Sequence, residues 1–499
     1  MAISRLPRFL AGIGNLDPSQ PGGGLQPELA DVARLARRLA QRAVAAARTQ
    51  DAPVASLLRA HLGPQAASLP VASGCWPAYE HLNLQLAVDT WLAAPGRTHD
   101  LAGITWPLRQ QPPGLADLLA GGPARGMPAA GTGSVRTVAL PAGPGGVTRS
   151  CVEWGLYLVT SDGQQTALLL RPGGPGSGGG RPELVLEVAG PRQRDIDAVL
   201  AEIRKLTVTR SVFRGQVIAF GADVFGPGHT GPLTFLDRPA VPREEVILPS
   251  GLLTGIEAQV LGIARHASQL RANGQHLKRG ILLHGPPGTG KTHTVRYLLG
   301  RLPGRTVVVV TGEALQTVRE ACAVARALQP SVVVVEDVDL IAEDRGGGQA
   351  GAHPLLFQLL NEMDGLAADA DVTFLLTTNR VDLLEPALAE RPGRVDHAAR
   401  LPLPDAPARR RLLRLYRGSL DLDLAQPEAV ISRTDGVTAS FMKELLRRAA
   451  LRAAADGAPG DADGDRAAAE APAGAAAADG AAADGAAADG AAAAADGAA

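Results

Sequence analysis

Between Gly285 and Thr292 the chain reads Gly-Pro-Pro-Gly-Thr-Gly-Lys-Thr, and this octet limits the choice of fold more than any other stretch. It satisfies the pattern G-x-x-x-x-G-K-[ST]. An apolar run, Arg279 to His284, enters it, and a helix-compatible run, His293 to Arg301, leaves it. Such a loop belongs between a parallel β-strand and a helix. Its glycines let backbone N–H groups wrap a phosphate, and the helix N-terminus adds positive potential. Glycine is abundant here, 59 of 499 residues, so a glycine pattern alone would mean little. Lysine is scarce: it occurs only at Lys205, Lys278, Lys291 and Lys443, so a motif that demands one is no accident of composition. The expected nucleotide-binding set is Gly285, Pro286, Pro287, Gly288, Thr289, Gly290, Lys291 and Thr292. Lys291 would meet the β- and γ-phosphates of ATP, and the Thr292 hydroxyl would coordinate Mg2+.

Downstream, Ser331 to Val335 is a nearly continuous β-branched run, as expected of a central parallel strand covered on both faces. It ends in Glu336 and Asp337. Carboxylates at the C-terminal end of such a strand stand where open α/β sheets bind ligands. One, Glu336, would hold the magnesium; the other, Asp337, would orient the attacking water. A second strand of this kind, Val372 to Leu376, runs into Thr377, Thr378 and Asn379, and the Asn379 amide is expected to touch the γ-phosphate and the water.

With these residues in this order, positions 246–455 resemble the AAA branch of the AAA+ ATPases. GPPGTGKT is similar to that family's Walker A, PSVVVVEDVD to its Walker B, and LLNEMDG (Leu359 to Gly365) to its inter-subunit signalling segment. Thr377 to Arg380 is similar to sensor 1, Glu385 to Asp396 to the second region of homology, and Thr434 to Phe441 to the sensor-2 region of the lid. The resemblance implies an ATPase that works with ATP and Mg2+ in a homo-oligomeric ring, a hexamer in the family, and remodels a protein client. It also implies that Arg391 and Arg394 reach into a neighbouring subunit's nucleotide. The catalytic set is then Lys291, Glu336, Asp337, Asn379, Arg391 and Arg394, with Thr292 and Glu336 on the metal.

Two departures stand out. The Walker B acids are reversed: the family places Asp where Glu336 stands and Glu where Asp337 stands. One methylene moves a carboxylate by about 1.5 Å, and a misplacement near 1 Å can slow catalysis on the order of a hundredfold. Hydrolysis is still expected, either slowed by that misplacement or with the site re-registered around this order of acids. The segment from Thr311 to Ser331 also lacks the aromatic residue with which the family grips a threaded polypeptide, and no His-Glu-x-x-His zinc-protease pattern occurs anywhere in the sequence. Two further classes remain open: a nucleotide-dependent switch or scaffold that hydrolyses little, and a DNA-linked motor.

The expected fold class is α/β: a P-loop NTPase parallel sheet with a small helical lid, preceded by an α-rich segment and a small α/β domain. A chain of 499 residues exceeds one core. Residues 1–120 read as helix-leaning. In Pro27 to Thr49, Leu29, Val32, Leu35, Leu39 and Val44 share one helix face, and Arg34, Arg37, Arg38, Arg42 and Arg48 share the other. That arginine face, read as solvated, is the sole support for the DNA-linked alternative. Residues 121–150, rich in Gly, Pro and Ala, read as a linker. Residues 151–240 read as the small α/β domain, with strands at Leu156–Thr160, Ala167–Leu170, Glu183–Val188 and Ser211–Phe220, a helix at Gln193–Lys205, and a loose loop over Pro172–Gly180. The ATPase large subdomain is expected over 246–402, the lid over 403–455, and a disordered Ala/Asp/Gly tail over 456–499. A net charge of −1 gives no reason to expect nucleic acid or an anionic membrane as partner. Cys75, Cys151 and Cys322 form no even framework, which suits a reducing compartment. No apolar run approaches the roughly 20 residues needed to span a bilayer, and Met1 to Gly14 has no sustained apolar core, so a cytoplasmic location is expected.

Overall fold

The computed structural model describes residues 53–106, 113–121, 130–173, 183–221, 233–339, 354–367, 369–381, 395–418 and 427–455. They build an α/β protein around two seven-stranded sheets. The arginine-rich stretch at 27–49 and the tail at 456–499 lie outside the described residues, as does most of the loop expected at 172–180.

The first sheet opens with α1 (Pro53–Leu62), β1 (Val71–Pro77), α2 (His81–Leu92), β2 (Arg97–Thr105) and α3 (Leu115–Leu119). It continues with β3 (Gly131–Gly133), β4 (Arg136–Pro141), β5 (Thr148–Ser161), β6 (Gln164–Pro172), β7 (Glu183–Ala189) and α4 (Gln193–Thr209). Strand order is β1-β7-β6-β5-β2-β3, with β4 on β5, and every pair is antiparallel. Period-two alternation divides each long strand between two cores. Tyr157 and Val159 of β5 join Leu168 and Leu170 of β6 under α2 and α4. Leu156, Leu158, Ala167 and Leu169 face the other way, under α1 and α3. Asp162 and Gly163, at φ 48° and 74°, close the β5–β6 hairpin with the primed turn that suits the strands' twist.

This sheet corrects the expected boundaries. Residues 121–150 are not a linker, since β3, β4 and the start of β5 fall within them. Positions 53–120 are no separate α-rich segment, because β1 pairs with β7 and β2 with β5. The reason is compositional. Most of β2 is exposed and polar, and Gly103 in it lies so close to the Ser134 carbonyl that an added Cβ would sit 2.2 Å from its oxygen. Such a strand is held by its neighbours rather than by apolar alternation of its own.

The second sheet begins with β8 (Val217–Phe220) and β9 (Leu233–Leu236). Then α5 (Leu252–Glu257) passes through a π turn into α6 (Ile263–Ala272). Next come β10 (Arg279–His284), α7 (Lys291–Gly300), β11 (Thr306–Val310), α8 (Val318–Ala327) and β12 (Ser331–Val335). The sheet is completed by α9 (Pro354–Asp364), β13 (Val372–Thr378) and β14 (His397–Arg400). The order is β14-β10-β13-β12-β11-β8-β9, parallel throughout except for β8 with β9. The strand expected at Ser211–Phe220 is therefore shorter than expected and pairs with β11 of this sheet, not with the preceding domain. An apolar strand carries no mark of its partner. Three helices follow, α10 (Ala406–Arg417), α11 (Pro427–Arg433) and α12 (Ala439–Ala455), around Leu412, Leu413, Ile431, Met442 and Leu446.

Two devices tie these parts together. Arg238 donates to the carbonyls of Leu299 and Leu302 at the end of α7 and to those of Gly215 and Arg305, at 2.9–3.1 Å. One guanidinium thereby joins the end of α7 to the approaches to β8 and β11. At the joint between the sheets, the Asn83 side chain accepts from the Val212 N–H at 2.9 Å and donates to Glu80 at 2.7 Å. Tyr79 sets its ring edge-on to Phe220, and Arg214 donates to the carbonyls of Gln329 and Val208. Among the described residues no helix is long and apolar enough to cross a membrane.

Candidate nucleotide site at the parallel strand ends

The parallel register brings the ends of β10, β12 and β13 level: His284 lies beside Thr378, and Val335 beside Leu376. The loop Gly285–Gly290 leaves β10 and turns into α7, whose first residues are Lys291 and Thr292. Gly285 must be glycine, because a Cβ there would lie 2.2 Å from the Leu401 oxygen. Gly288 and Gly290 adopt φ 77° and 98°, open to glycine at no steric cost. Thr289 pins the loop by donating to the Pro286 carbonyl at 2.9 Å. The buried Lys291 ammonium donates to the Gly285 and Pro286 carbonyls at 2.8 and 3.0 Å. Burial holds its pKa below the ordinary lysine value, opposed by the negative charges of Asp337 and Asp339.

Glu336 and Asp337 lie beside this loop at the end of β12. The Glu336 carboxyl is held above the usual carboxylate range, first by burial and then by Asp337, while a hydrogen bond from the Thr292 side chain pulls the other way. Glu336 thus faces the residue expected to share the metal with it. Asp337 takes φ 53°, a left-handed conformation that is strained for a residue with a Cβ. Its N–H donates to the Thr377 hydroxyl at 3.1 Å, and its carboxylate accepts from the Asn379 amide at 3.4 Å. Asp339 was not singled out from the sequence. It is buried, and its Oδ1 accepts from the Thr378 hydroxyl at 2.8 Å and the Asn379 N–H at 3.2 Å. Its sequence signal is the second acid of the run Asp337-Val338-Asp339.

A cavity of about 420 Å³ opens beside the loop, lined among others by Val246, Gly288, Gly290, His293, Tyr416 and Lys443. The three-helix unit closes on it where the Ser440 N–H donates to the Gly288 carbonyl at 3.2 Å. A larger cavity, about 650 Å³, is lined by Arg243, Glu257, Tyr297 and Arg301. It borders none of the glycine loop, whereas the smaller one is lined by Gly288, Thr289 and Gly290, so the chemistry follows the smaller one. The donor set fits a nucleoside triphosphate with Mg2+: amides and an ammonium for phosphate oxygens, and a hydroxyl beside one or two carboxylates. Magnesium is commonly held in this way, with substrate phosphates completing its shell. Lys291, Thr292, Glu336, Asp337 and Asn379 are brought together here. Arg391 and Arg394 lie outside the described residues.

Residues 281–403 match the family model described as "ATPase family associated with various cellular activities (AAA)". The chain is 33% identical over 242 residues to the ATP-dependent zinc metalloprotease FtsH 3 of Sphaerobacter thermophilus, covering 45% of this chain and 48% of that one. It is 34% identical over 209 residues to the ATP-dependent zinc metalloprotease FtsH of Thermus thermophilus, covering 39% and 33%. To the 26S proteasome regulatory subunit 8 homolog of Schizosaccharomyces pombe it is 30% identical over 221 residues, covering 40% and 55%. The chain thus spans between a third and about half of the length of these relatives.

Proposed function

We infer, from the AAA domain this chain carries at residues 281–403, that it binds ATP with Mg2+ and hydrolyses it as one subunit of a homo-oligomeric ring that remodels a protein partner. One observation carries the reading: Lys291 and Thr292, which open α7 after the loop from β10, stand against Glu336, Asp337 and Asn379 at the ends of the two strands beyond it. Lys291 would exchange its two loop carbonyls for β- and γ-phosphate oxygens and stabilise charge on the transferring group. Bound Mg2+ would supply further neutralisation of the phosphate oxygens. Thr292 and Glu336 would hold it. Asp337, restrained by Asn379, would orient the water for in-line attack. Arg391 and Arg394 would act on the neighbouring subunit's nucleotide. The ring, its hexameric size and the protein client follow from likeness to the AAA family, and a cytoplasmic location remains part of the same reading.

The reversed acids support a second reading, a slow switch or scaffold. Against it, Glu336 already meets Thr292, and the Asp337 backbone is turned so that its shorter side chain meets Asn379. That arrangement favours a site settled around its own order of acids.

Turnover per subunit, measured against protein concentration, tests both readings. Lys291→Ala should lose nucleotide binding by about a hundredfold or more while the fold survives, since the charge that meets the phosphates is gone. Near-parental nucleotide affinity in that variant would defeat the assignment. Turnover that stays constant per subunit down to monomeric concentrations would defeat the ring.

A further inference from the structure

Two strand ends are joined at the site by four hydrogen bonds, and one carboxylate, Asp339, accepts two of them. Asp339 is 6% exposed, and the Thr378 hydroxyl that it receives is fully buried. That hydroxyl also accepts from the Arg380 N–H at 3.0 Å, so its single proton is committed to Asp339. The same Oδ1 takes the Asn379 N–H. The Asn379 side chain is exposed and, among the described residues, makes one long hydrogen bond, to Asp337. Left to itself, an amide so weakly held would sample several rotamers. Its direction is therefore set by the backbone beneath it, and that backbone is clamped by Asp339.

We propose that Asp339 is a positioning residue for hydrolysis: by fixing Thr378 and the Asn379 backbone, it aims the Asn379 amide at Asp337 and so sets the carboxylate that faces the water. This rests on the hydrolytic reading above. Both bonds that Asp339 accepts come from the strand end carrying Asn379, so it acts through Asn379. Removing it should slow the chemical step and leave binding in place, because the loop that holds the phosphates is built on a different strand.

The test is steady-state ATP hydrolysis and nucleotide affinity of the full chain as Asp339→Ala, Asn379→Ala, their double variant, and Asp339→Asn. Asp339→Ala should lower kcat by about tenfold or more with nucleotide affinity changed less than about threefold. The double variant should be no slower than the worse single by more than about twofold, since both changes break one linkage. Asp339→Asn offers an amide oxygen for the same two bonds and should recover most of the lost kcat. Should the alanine variant not fold, Thr378→Val removes one of the two bonds and should give a smaller kcat loss that Asn379→Ala likewise masks. Unchanged kcat in Asp339→Ala, or losses that multiply in the double variant, would overturn the proposal. So would an Asp339→Asn as slow as alanine, which would assign the effect to the charge facing Lys291. A parent with no turnover overturns the hydrolytic reading and this one together; an active parent matched by Asp339→Ala overturns this one alone.

Discussion

The two sheets of this chain both bury charge, yet only one gathers it. In the antiparallel sheet, Glu187 accepts from Arg171 at 2.5 and 3.0 Å and from the Leu115 N–H, and the buried Gln85 donates to the Tyr157 hydroxyl at 3.2 Å and accepts from the Val152 N–H at 2.9 Å. Each set is closed, satisfied and far from the next. In the parallel sheet, Lys291, Glu336, Asp337, Asp339 and Asn379 crowd one edge with bonding capacity to spare. Strand direction explains the contrast. Antiparallel neighbours end on opposite edges and scatter their terminal residues, whereas parallel neighbours end together, so the residue after each strand joins a common cluster. Buried polar groups hold the fold in the first sheet, as the Arg305–Asp371 pair does in the second; at the C-terminal strand ends of the second they are left with hands free.

Substitutions at three positions put that contrast at risk. The largest effect is expected from Glu187→Ala, which strands Arg171 in a largely buried site. Thermal unfolding should show a loss of about 3–5 kcal/mol from the antiparallel unit, while turnover per folded molecule stays close to parental. Turnover falling in step with stability would show that the two sheets are not energetically separable. Arg238→Ala should come next, at about 2–3 kcal/mol, because four carbonyls lose a charged donor; denaturant unfolding should place the loss in the parallel unit. Arg238→Lys should restore little of it, since one ammonium cannot span four acceptors as a planar guanidinium does. The smallest effect concerns the joint. Burial pushes Glu80 up to about 7, with the Asn83 bond opposing. The folded state resists ionising this carboxyl while the unfolded chain does not, so its opposition to folding begins above about pH 4.5 and is complete only above about 7. Glu80→Gln, which keeps an acceptor for Asn83, should therefore raise the melting temperature modestly at pH 8 and leave it unchanged at pH 4. A gain at both pH values would assign the effect to packing.

The same contrast explains what the sequence made legible. Gly285–Thr292, the β-branched run before Glu336 and the apolar run before Asn379 announce themselves, because a strand buried on both faces must be apolar throughout and a phosphate loop tolerates few residues. The helix at Gln193 and the strands near Leu156, Ala167 and Glu183 were visible for like reasons, through their apolar faces. Thr98, His99 and Asp100 in β2 have no such signature: their exposed side chains say nothing of the strand, and its place comes from pairing with Thr160, Val159 and Leu158 far along the chain. The ladder from Val217 to Val307 was equally unreadable, since an apolar strand fits either sheet. Asp339 escaped for a different reason. Its role lies in what it does to Asn379, which only the fold brings near.

The passage from α4 to β8 has one more consequence. The helix, about 25 Å long at 1.5 Å per residue, lies on the first sheet, ends at Thr209, and within a few residues has become a strand zipped to β11. Arg214 and Gly215 are bonded into that turn, the latter donating to the Thr306 hydroxyl at 3.0 Å. There is no slack here to take up. A change of twist in the nucleotide sheet would reach the N-terminal unit as a crank reaches its handle, as rotation through a stiff shaft, rather than as a pull on a leash.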